Sequence, residues 1–324
     1  MRARIIMVLA VVISLAPTLT KAAGWQSFEI PADAGSPALR GAVWYPCAQA
    51  PTDVVVGPFT LPMVKDCAPP SGKHPLIVVS HGRGGTLLGH HDTAETLADA
   101  GFIVAAINHA GDTARDLGHS NDLSIFVTRP AQIKRLIDFM LDGSPLAANI
   151  DSGHVGFFGF SRGGYTGLVL VGANPDWNAL RCNQQPDSPL CRQIANGDIP
   201  REPVVHDSRI IAAAIADPLA IFFTAKARSF ADVKVPIQLW ASERGGDGVL
   251  PEAVAGIDKG LPAPHDYHVV ANSGHFAFFA PCPPALTTAA PEICTDAPGF
   301  DRAAFHKTFN AALLDFFRQH LGGS

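Results

Sequence analysis

Short apolar runs that alternate with helical patterns constrain the fold of this chain most strongly. Runs that are continuous, apolar and rich in β-branched residues, as strands covered on both faces are, lie at 76–80, 102–107, 155–159, 210–216, 236–241 and 267–271. Segments with apolar residues at helical spacing lie at 92–100, 131–141 and 303–321. This alternation predicts an α/β fold with a mostly parallel central sheet flanked by helices.

Two other stretches modify this plan. Residues 26–30 and 41–45 predict an opening hairpin at the edge of the sheet. Residues 174–208 interrupt the alternation with five prolines and a cysteine pair, and contain too few apolar residues for a core of their own. We therefore expect one domain over residues 24–324, with 174–208 as an insertion or lid over one end of the sheet.

Composition and charge exclude several classes of protein. Apolar residues make up 47% of the chain and charged residues 16%, which excludes an intrinsically disordered protein. The 27 prolines exclude a long coiled coil. The formal net charge is −5 and there is no basic run, which argues against nucleic acid as a partner.

The N-terminus has the layout of a secretory signal peptide. Arg2 and Arg4 precede a predominantly apolar run at 5–16, and small residues follow at Ala22 and Ala23. This pattern predicts a signal peptide over residues 1–23 and export to the periplasm or the medium. The run of 12 residues is too short to span a bilayer, so no stable membrane insertion is expected, although an uncleaved anchor is the alternative.

The cysteines agree with export. An even number of cysteines in an exported chain indicates disulfides, although six cysteines allow 15 pairings. Because the cysteines form local pairs around short loops, neighbour pairing is the easiest closure: Cys47 with Cys67, Cys182 with Cys191, and Cys282 with Cys294. The absence of a Cys-x-x-Cys or Cys/His cluster in the sequence predicts no metal site.

The run 155–164 reads as a strand, a sharp turn and the start of a helix. Its centre is Gly159-Phe160-Ser161-Arg162-Gly163, a G-x-S-x-G pattern. In a nucleophile elbow the serine occupies a strained turn, and flanking glycines remove Cβ atoms that would clash there. An ordinary turn is the alternative, but the strand–turn–helix context favours Ser161 as a catalytic nucleophile.

A glycine-rich loop follows the predicted strand at 76–80. It reads His81-Gly82-Arg83-Gly84-Gly85, like the loop of lipase-type hydrolases that donates a backbone N–H to an oxyanion. The second donor is the residue after the nucleophile, so Arg83 and Arg162 are the predicted main-chain donors. A phosphate-binding loop is the alternative, but the Lys-Ser/Thr of a P-loop and the dinucleotide spacing are missing, and we expect no cofactor.

The base and the acid are expected after later strands. Gly274-His275 follows the last predicted strand, which fits the order serine, acid, histidine and predicts His275 as the base. Asp217 closes the apolar strand 210–216, whereas Asp247 follows strand 236–241 in a glycine-rich loop. Glu243 is a weaker third candidate, and the residues alone leave Asp217 and Asp247 open.

The runs 74–82, 101–109 and 159–164 resemble the α/β-hydrolases grouped as predicted dienelactone hydrolases, and are similar to the secreted platelet-activating-factor acetylhydrolases. The resemblance extends from about Trp44 to the C-terminus, apart from the insertion, and implies the α/β-hydrolase fold. In the acetylhydrolases the acid follows the sixth strand in a segment like 214–217, which favours Asp217. Simple dienelactone hydrolases use a cysteine nucleophile where this chain has Ser161, which argues against dienelactone as substrate.

These features predict a serine carboxylic-ester hydrolase that forms an acyl-enzyme on a small or lipid-like ester, without metal or organic cofactor. A peptidase or acyltransferase on the same fold, or a non-catalytic binding module, are the alternatives. Five phenylalanines near the predicted site are candidates for an apolar pocket or for the core: Phe222, Phe223, Phe276, Phe278 and Phe279. The sequence does not predict the oligomeric state.

Overall fold

The computed structural model describes residues 22–180, 182–183, 185–224, 229–262 and 264–322. The predicted signal peptide therefore lies outside the described residues, except for Ala22 and Ala23, which begin the first strand. Within the described residues, no helix is long and apolar enough to cross a membrane.

The described residues form a ten-stranded sheet in the order β10-β9-β8-β7-β5-β6-β2-β1-β4-β3. The strands are β1 (Ala22–Ile30), β2 (Leu39–Cys47), β3 (Thr52–Val56), β4 (Phe59–Lys65), β5 (His74–Ser80), β6 (Ile103–Ile107), β7 (Ile150–Phe160), β8 (Ile210–Ala216), β9 (Ile237–Ser242) and β10 (Asp266–Val270). All pairings from β10 through β6 are parallel. The predicted mostly parallel sheet is confirmed, and its six parallel strands are those that the apolar runs indicate.

The opening hairpin pairs as predicted but does not lie at the edge of the sheet. β1 and β2 are antiparallel, and β2 continues onto β6. On its other side β1 pairs with β4, and the hairpin of β3 and β4 forms the edge. The sequence analysis missed this second hairpin, in which Phe59, Leu61 and Met63 are buried and alternate with exposed residues along β4.

Helices cover both faces of the sheet. They are α1 (His91–Asp99), α2 (Ile125–Asp138), α3 (Arg162–Leu170), α4 (Pro189–Asn196), α5 (Pro251–Gly260), α6 (Pro284–Ala289), α7 (Pro291–Cys294) and α8 (Arg302–Leu321). Along β5, Leu76 and Val78 join the core under α2, α3 and α5, whereas Ile77 and Val79 join the core under α1 and α8. Successive strand residues thus supply two cores, because side chains alternate across a sheet.

Three disulfides form between the neighbouring cysteines, as predicted: Cys47–Cys67, Cys182–Cys191 and Cys282–Cys294. The first closes the β3–β4 excursion against β2. The second lies within the insertion at 174–208 and links Cys182 to α4. The third closes the excursion that carries α6 and α7. Each of the three disulfides therefore closes a local loop of the described chain.

Candidate active site

Ser161 occupies a sharp turn between β7 and α3. Its backbone has φ 58° and ψ −119°, a region that non-glycine residues rarely adopt. The turn is held from the neighbouring strand end, because the Ser161 amide donates to the Ala216 carbonyl over 2.9 Å. A Cβ on Gly163 would overlap the carbonyl oxygen of Ser80, and a Cβ on Gly159 would overlap that of Gly163. The two glycines of the motif are therefore steric requirements of the turn.

Ser161, His275 and Asp217 form one hydrogen-bonded chain. His275 begins a short 3-10 turn after β10, and its Nε2 lies 2.9 Å from Ser161 Oγ. Its Nδ1 lies 2.6 Å from Asp217 Oδ2. The imidazole stacks on the ring of Phe160, and the side chains of Ser161, His275 and Asp217 are all buried. With a proton on Nδ1 held by the carboxylate, Nε2 is free to accept the serine proton.

The Asp217 carboxylate is anchored by the next strand. Asp217 follows β8, and Ser242 closes β9 beside it. Oδ1 accepts from the Ser242 amide over 2.8 Å, and Oδ2 accepts from the Ser242 hydroxyl over 2.7 Å in addition to His275. These donors satisfy a carboxylate that is fully buried and would otherwise be costly to desolvate.

The other two candidate acids lie elsewhere. Asp247 is exposed on its glycine-rich loop and lines the cavity above Ser161. Glu243 is exposed and accepts from the Asn272 amide over 2.6 Å. Of the three carboxylates weighed from the sequence, the structure brings Asp217 to His275.

The two predicted oxyanion donors line the same cavity as Ser161. Arg162 is the first residue of α3, where helix amides have no partner within the helix. In the described part of the chain, neither the Arg83 nor the Arg162 amide donates a hydrogen bond to another residue. Both amides are therefore uncommitted, as the predicted donor role requires.

A cavity of about 750 Å³ opens over Ser161, a size ordinary for small-ligand sites. Three parts of the chain supply its apolar wall, namely the insertion, the segment after β8, and α5: Leu180, Leu190, Leu219, Ile221, Phe223 and Ile257. Polar groups, among them Asn121, Asp247 and Glu252, share the lining. Of the five phenylalanines considered from the sequence, Phe223 lines this cavity, whereas Phe222 and Phe278 are fully buried in the cores.

A buried group of charges behind the site was missed by the sequence analysis. Asp112 Oδ2 accepts from the guanidinium groups of Arg129, over 2.6 Å, and Arg162, over 2.9 Å. Burial raises the pKa of Asp112, but the charges of the two arginines outweigh burial and lower it below its ordinary value. Two features of the sequence could have indicated this group. Asp112 lies in the loop after a buried strand, and Arg129 lies on the same helical stripe as Phe126 and Ile133.

The fold is that of the α/β-hydrolases. A family model described as platelet-activating factor acetylhydrolase, isoform II, matches residues 41–121, which confirms the sequence resemblance for that segment. The ferulic acid esterase from Streptomyces cinnamoneus has a similar structure, with a TM-score of 0.63 and 16% sequence identity. The similarity covers 94% of this chain and 91% of the esterase chain. Among curated proteins, none matches.

Proposed function

We propose that this protein is a serine carboxylic-ester hydrolase in which Ser161 is the nucleophile, His275 the general base and Asp217 the acid. The observation that carries the proposal is the hydrogen-bonded chain that runs from Asp217 through His275 to Ser161, where Ser161 lines a cavity of about 750 Å³. The names of the matched family and of the similar structure, an acetylhydrolase and a ferulic acid esterase, support an ester as substrate.

The geometry supports a two-step reaction. Ser161 Oγ attacks the ester carbonyl carbon while His275 Nε2 takes the hydroxyl proton, and the carbonyl oxygen becomes an oxyanion near the Arg83 and Arg162 amides. His275 then gives the proton to the leaving alkoxide, the carbon–oxygen bond breaks, and an alcohol departs. A water attacks the acyl-enzyme, gives a proton to His275, and releases the acid as Ser161 recovers its proton.

The cavity supports a small or lipid-like ester with an apolar acyl or alcohol group. Its apolar wall lies beside Ser161, and polar side chains share its lining. In this proposal the insertion at 174–208 is the lid of a single hydrolase domain. A peptidase or an acyltransferase remains the second candidate, and an anilide carrying the best acyl group separates peptidase from esterase activity.

We also propose that the protein is exported from the cytoplasm. Three disulfides in the described residues are typical of proteins that fold in an oxidising compartment. The basic, apolar and small residues at 1–23 support a cleaved signal peptide as the route.

The test is hydrolysis of p-nitrophenyl esters of graded acyl length by wild type and Ser161→Ala. We expect the variant to lose turnover by about three orders of magnitude or more, because the nucleophile is removed. It should also fail to react with a fluorophosphonate that labels the wild type. Ser152→Ala is the matched control, since Ser152 is exposed at the far end of β7. Turnover retained by Ser161→Ala would overturn the proposal.

A further inference from the structure

One buried carboxylate links the two segments that carry the proposed oxyanion donors. We call Asp112, Arg129, Arg162 and Ser120 the Asp112 cluster. The Asp112 and Arg129 side chains are fully buried, and that of Arg162 is 5% exposed. Ser120 completes the cluster, since its hydroxyl donates to Asp112 Oδ1 over 2.6 Å and its carbonyl accepts from Arg162 over 2.9 Å.

The Asp112 cluster holds the glycine-rich loop on both sides of Arg83. On one side, the Gly84 amide donates to Asp112 Oδ1 over 3.2 Å. On the other side, the Arg129 guanidinium donates to the His81 carbonyl and, over 3.2 Å, to the Ser80 hydroxyl. The backbone on either side of the Arg83 amide is therefore tied to Asp112 or to its partner.

The same carboxylate holds the second donor segment. Arg162 is the residue whose amide follows Ser161, and its guanidinium is bound to Asp112 and lies over the ring of Phe126. Its side chain thus anchors the first turn of α3 to the loop between β6 and α2. Asp112 is the shared partner of the Arg83 segment and the Arg162 segment.

The cluster also carries a net positive charge. Two guanidinium groups face one carboxylate, and the adjoining His81 is neutral, because its Nδ1 donates to the Gly82 carbonyl while its Nε2 accepts from the His109 amide. Burial, with Arg129 beside it, lowers the pKa of His81 to about 3. Burial lowers the pKa of Arg129 to about 10, so its guanidinium remains charged at neutral pH. Fixed positive charge in a buried setting favours an anion that develops nearby.

We infer that Asp112 and Arg129 are positioning residues that aim the Arg83 and Arg162 amides at the oxyanion and keep a net positive charge behind it. The inference rests on the proposed function, since it assigns the cluster to the transition state of that reaction. If the cluster had only a structural role, it would contribute to the stability of the fold and not to the transition state.

The test compares Asp112→Asn, Arg129→Lys and Arg129→Gln with wild type. We expect Asp112→Asn and Arg129→Gln to lower kcat about 10- to 100-fold with KM changed less than threefold, because misplaced donors weaken the transition state more than the ground state. Arg129→Lys keeps the charge and should retain more activity than Arg129→Gln. The second readout is affinity for phenylboronic acid, whose boron bonds to Ser161 Oγ and becomes a tetrahedral anion. Boronate affinity should fall in parallel with kcat.

A structural role gives a different pattern. It would lower the fraction of protein that a fluorophosphonate titrates, while the titrated molecules keep wild-type kcat and boronate affinity, and that result would overturn the inference. Arg209→Lys is the control, since Arg209 forms an ion pair with Asp207 before β8, and its kcat should change less than twofold. If Asp112→Asn does not fold, Ser120→Ala carries the test, with an expected three- to tenfold loss of kcat and of boronate affinity.

The two proposals fail separately. Hydrolysis by Ser161→Ala would overturn both the proposed function and this inference. An inactive Ser161→Ala together with Asp112 and Arg129 variants that keep kcat and boronate affinity would overturn this inference alone.

Discussion

At the scale of single residues, Asp217 combines complete burial with a strained backbone. Its φ is 42°, and its carboxylate accepts from Ser242 and His275. A residue that merely ended a strand would need neither the strain nor the buried charge, because an exposed asparagine or glycine serves a turn at lower cost. These features are what we expect of a group whose position relative to His275 is selected for function.

Exchange of the two candidate acids for asparagine separates their roles. Asp217→Asn should lower kcat by about four orders of magnitude, because the amide stabilises the wrong imidazole tautomer and no positive charge. Asp247→Asn should stay within a few-fold of wild type, since Asp247 is exposed and His275 pairs with Asp217 instead. The measurement is steady-state hydrolysis of a p-nitrophenyl ester by both variants. Near-normal turnover by Asp217→Asn would contradict the assignment.

At the scale of elements, the insertion supplies part of the cavity wall. Leu180 and Leu190 line the cavity; the Cys182–Cys191 disulfide closes the loop that carries Leu190, and Leu180 lies two residues before it. The insertion at 174–208 contains little regular structure: among its described residues, α4 and a single 3-10 turn at Trp177–Ala179. Its position over Ser161 is held by this disulfide together with the packing of Leu180, Leu190 and Ile194 against the core cluster around Phe126, Tyr165 and Phe222.

Removal of this disulfide should change specificity rather than chemistry. In a Cys182→Ala/Cys191→Ala double variant we expect KM for long-acyl esters to rise about tenfold while kcat changes less than threefold, because the wall loosens but Ser161 and His275 stay in place. The matched control is Cys282→Ala/Cys294→Ala, whose disulfide lies outside the lining of the main cavity. This control should lose stability without a change in KM, and an equal rise in KM in both would contradict the role given to the insertion.

The parallel strands and the elbow could be predicted from the sequence, because apolar runs and the G-x-S-x-G pattern are local signals. Helix α2 was predicted to begin at residue 131, whereas it begins at Ile125 and contains Pro130. Burial of Phe126 and Arg129 outweighs the usual effect of proline on a helix. The Asp112 cluster joins groups 17 and 50 residues apart in the chain, so its pairing depends on tertiary contacts that no local pattern encodes.

At the scale of the whole molecule, three buried histidines with lowered pKa values predict sensitivity to acid. Burial lowers the pKa of His81 to about 3, that of His90 to about 4, and that of His109 well below its ordinary value. The unfolded chain binds protons at these groups near pH 6.5. Unfolding therefore takes up protons below that pH, and stability falls as the pH falls from about 6.5 towards 4.

Urea unfolding between pH 7 and pH 4.5 measures this effect. Three such groups limit its slope to about 4 kcal/mol per pH unit. His90→Leu should reduce the slope by roughly a third, since His90 packs among Phe158, Phe160 and Phe279 and loses its titrating ring. His119→Leu is the control, because His119 is exposed and should leave the slope unchanged. A wild type equally stable at pH 7 and pH 5 would contradict the prediction.

The order of strands has one more consequence. Ser161, Asp217 and His275 follow β7, β8 and β10, and Ser242 ends β9. These four strands are successive neighbours at one side of the sheet, whereas β1 to β4 lie at the other side. Any shear between two adjacent strands on the catalytic side changes an atomic distance within the hydrogen-bonded chain. Under the proposed function, turnover should therefore respond to the registry of β7 to β10 and should not respond to fraying of the β3–β4 hairpin at the opposite edge.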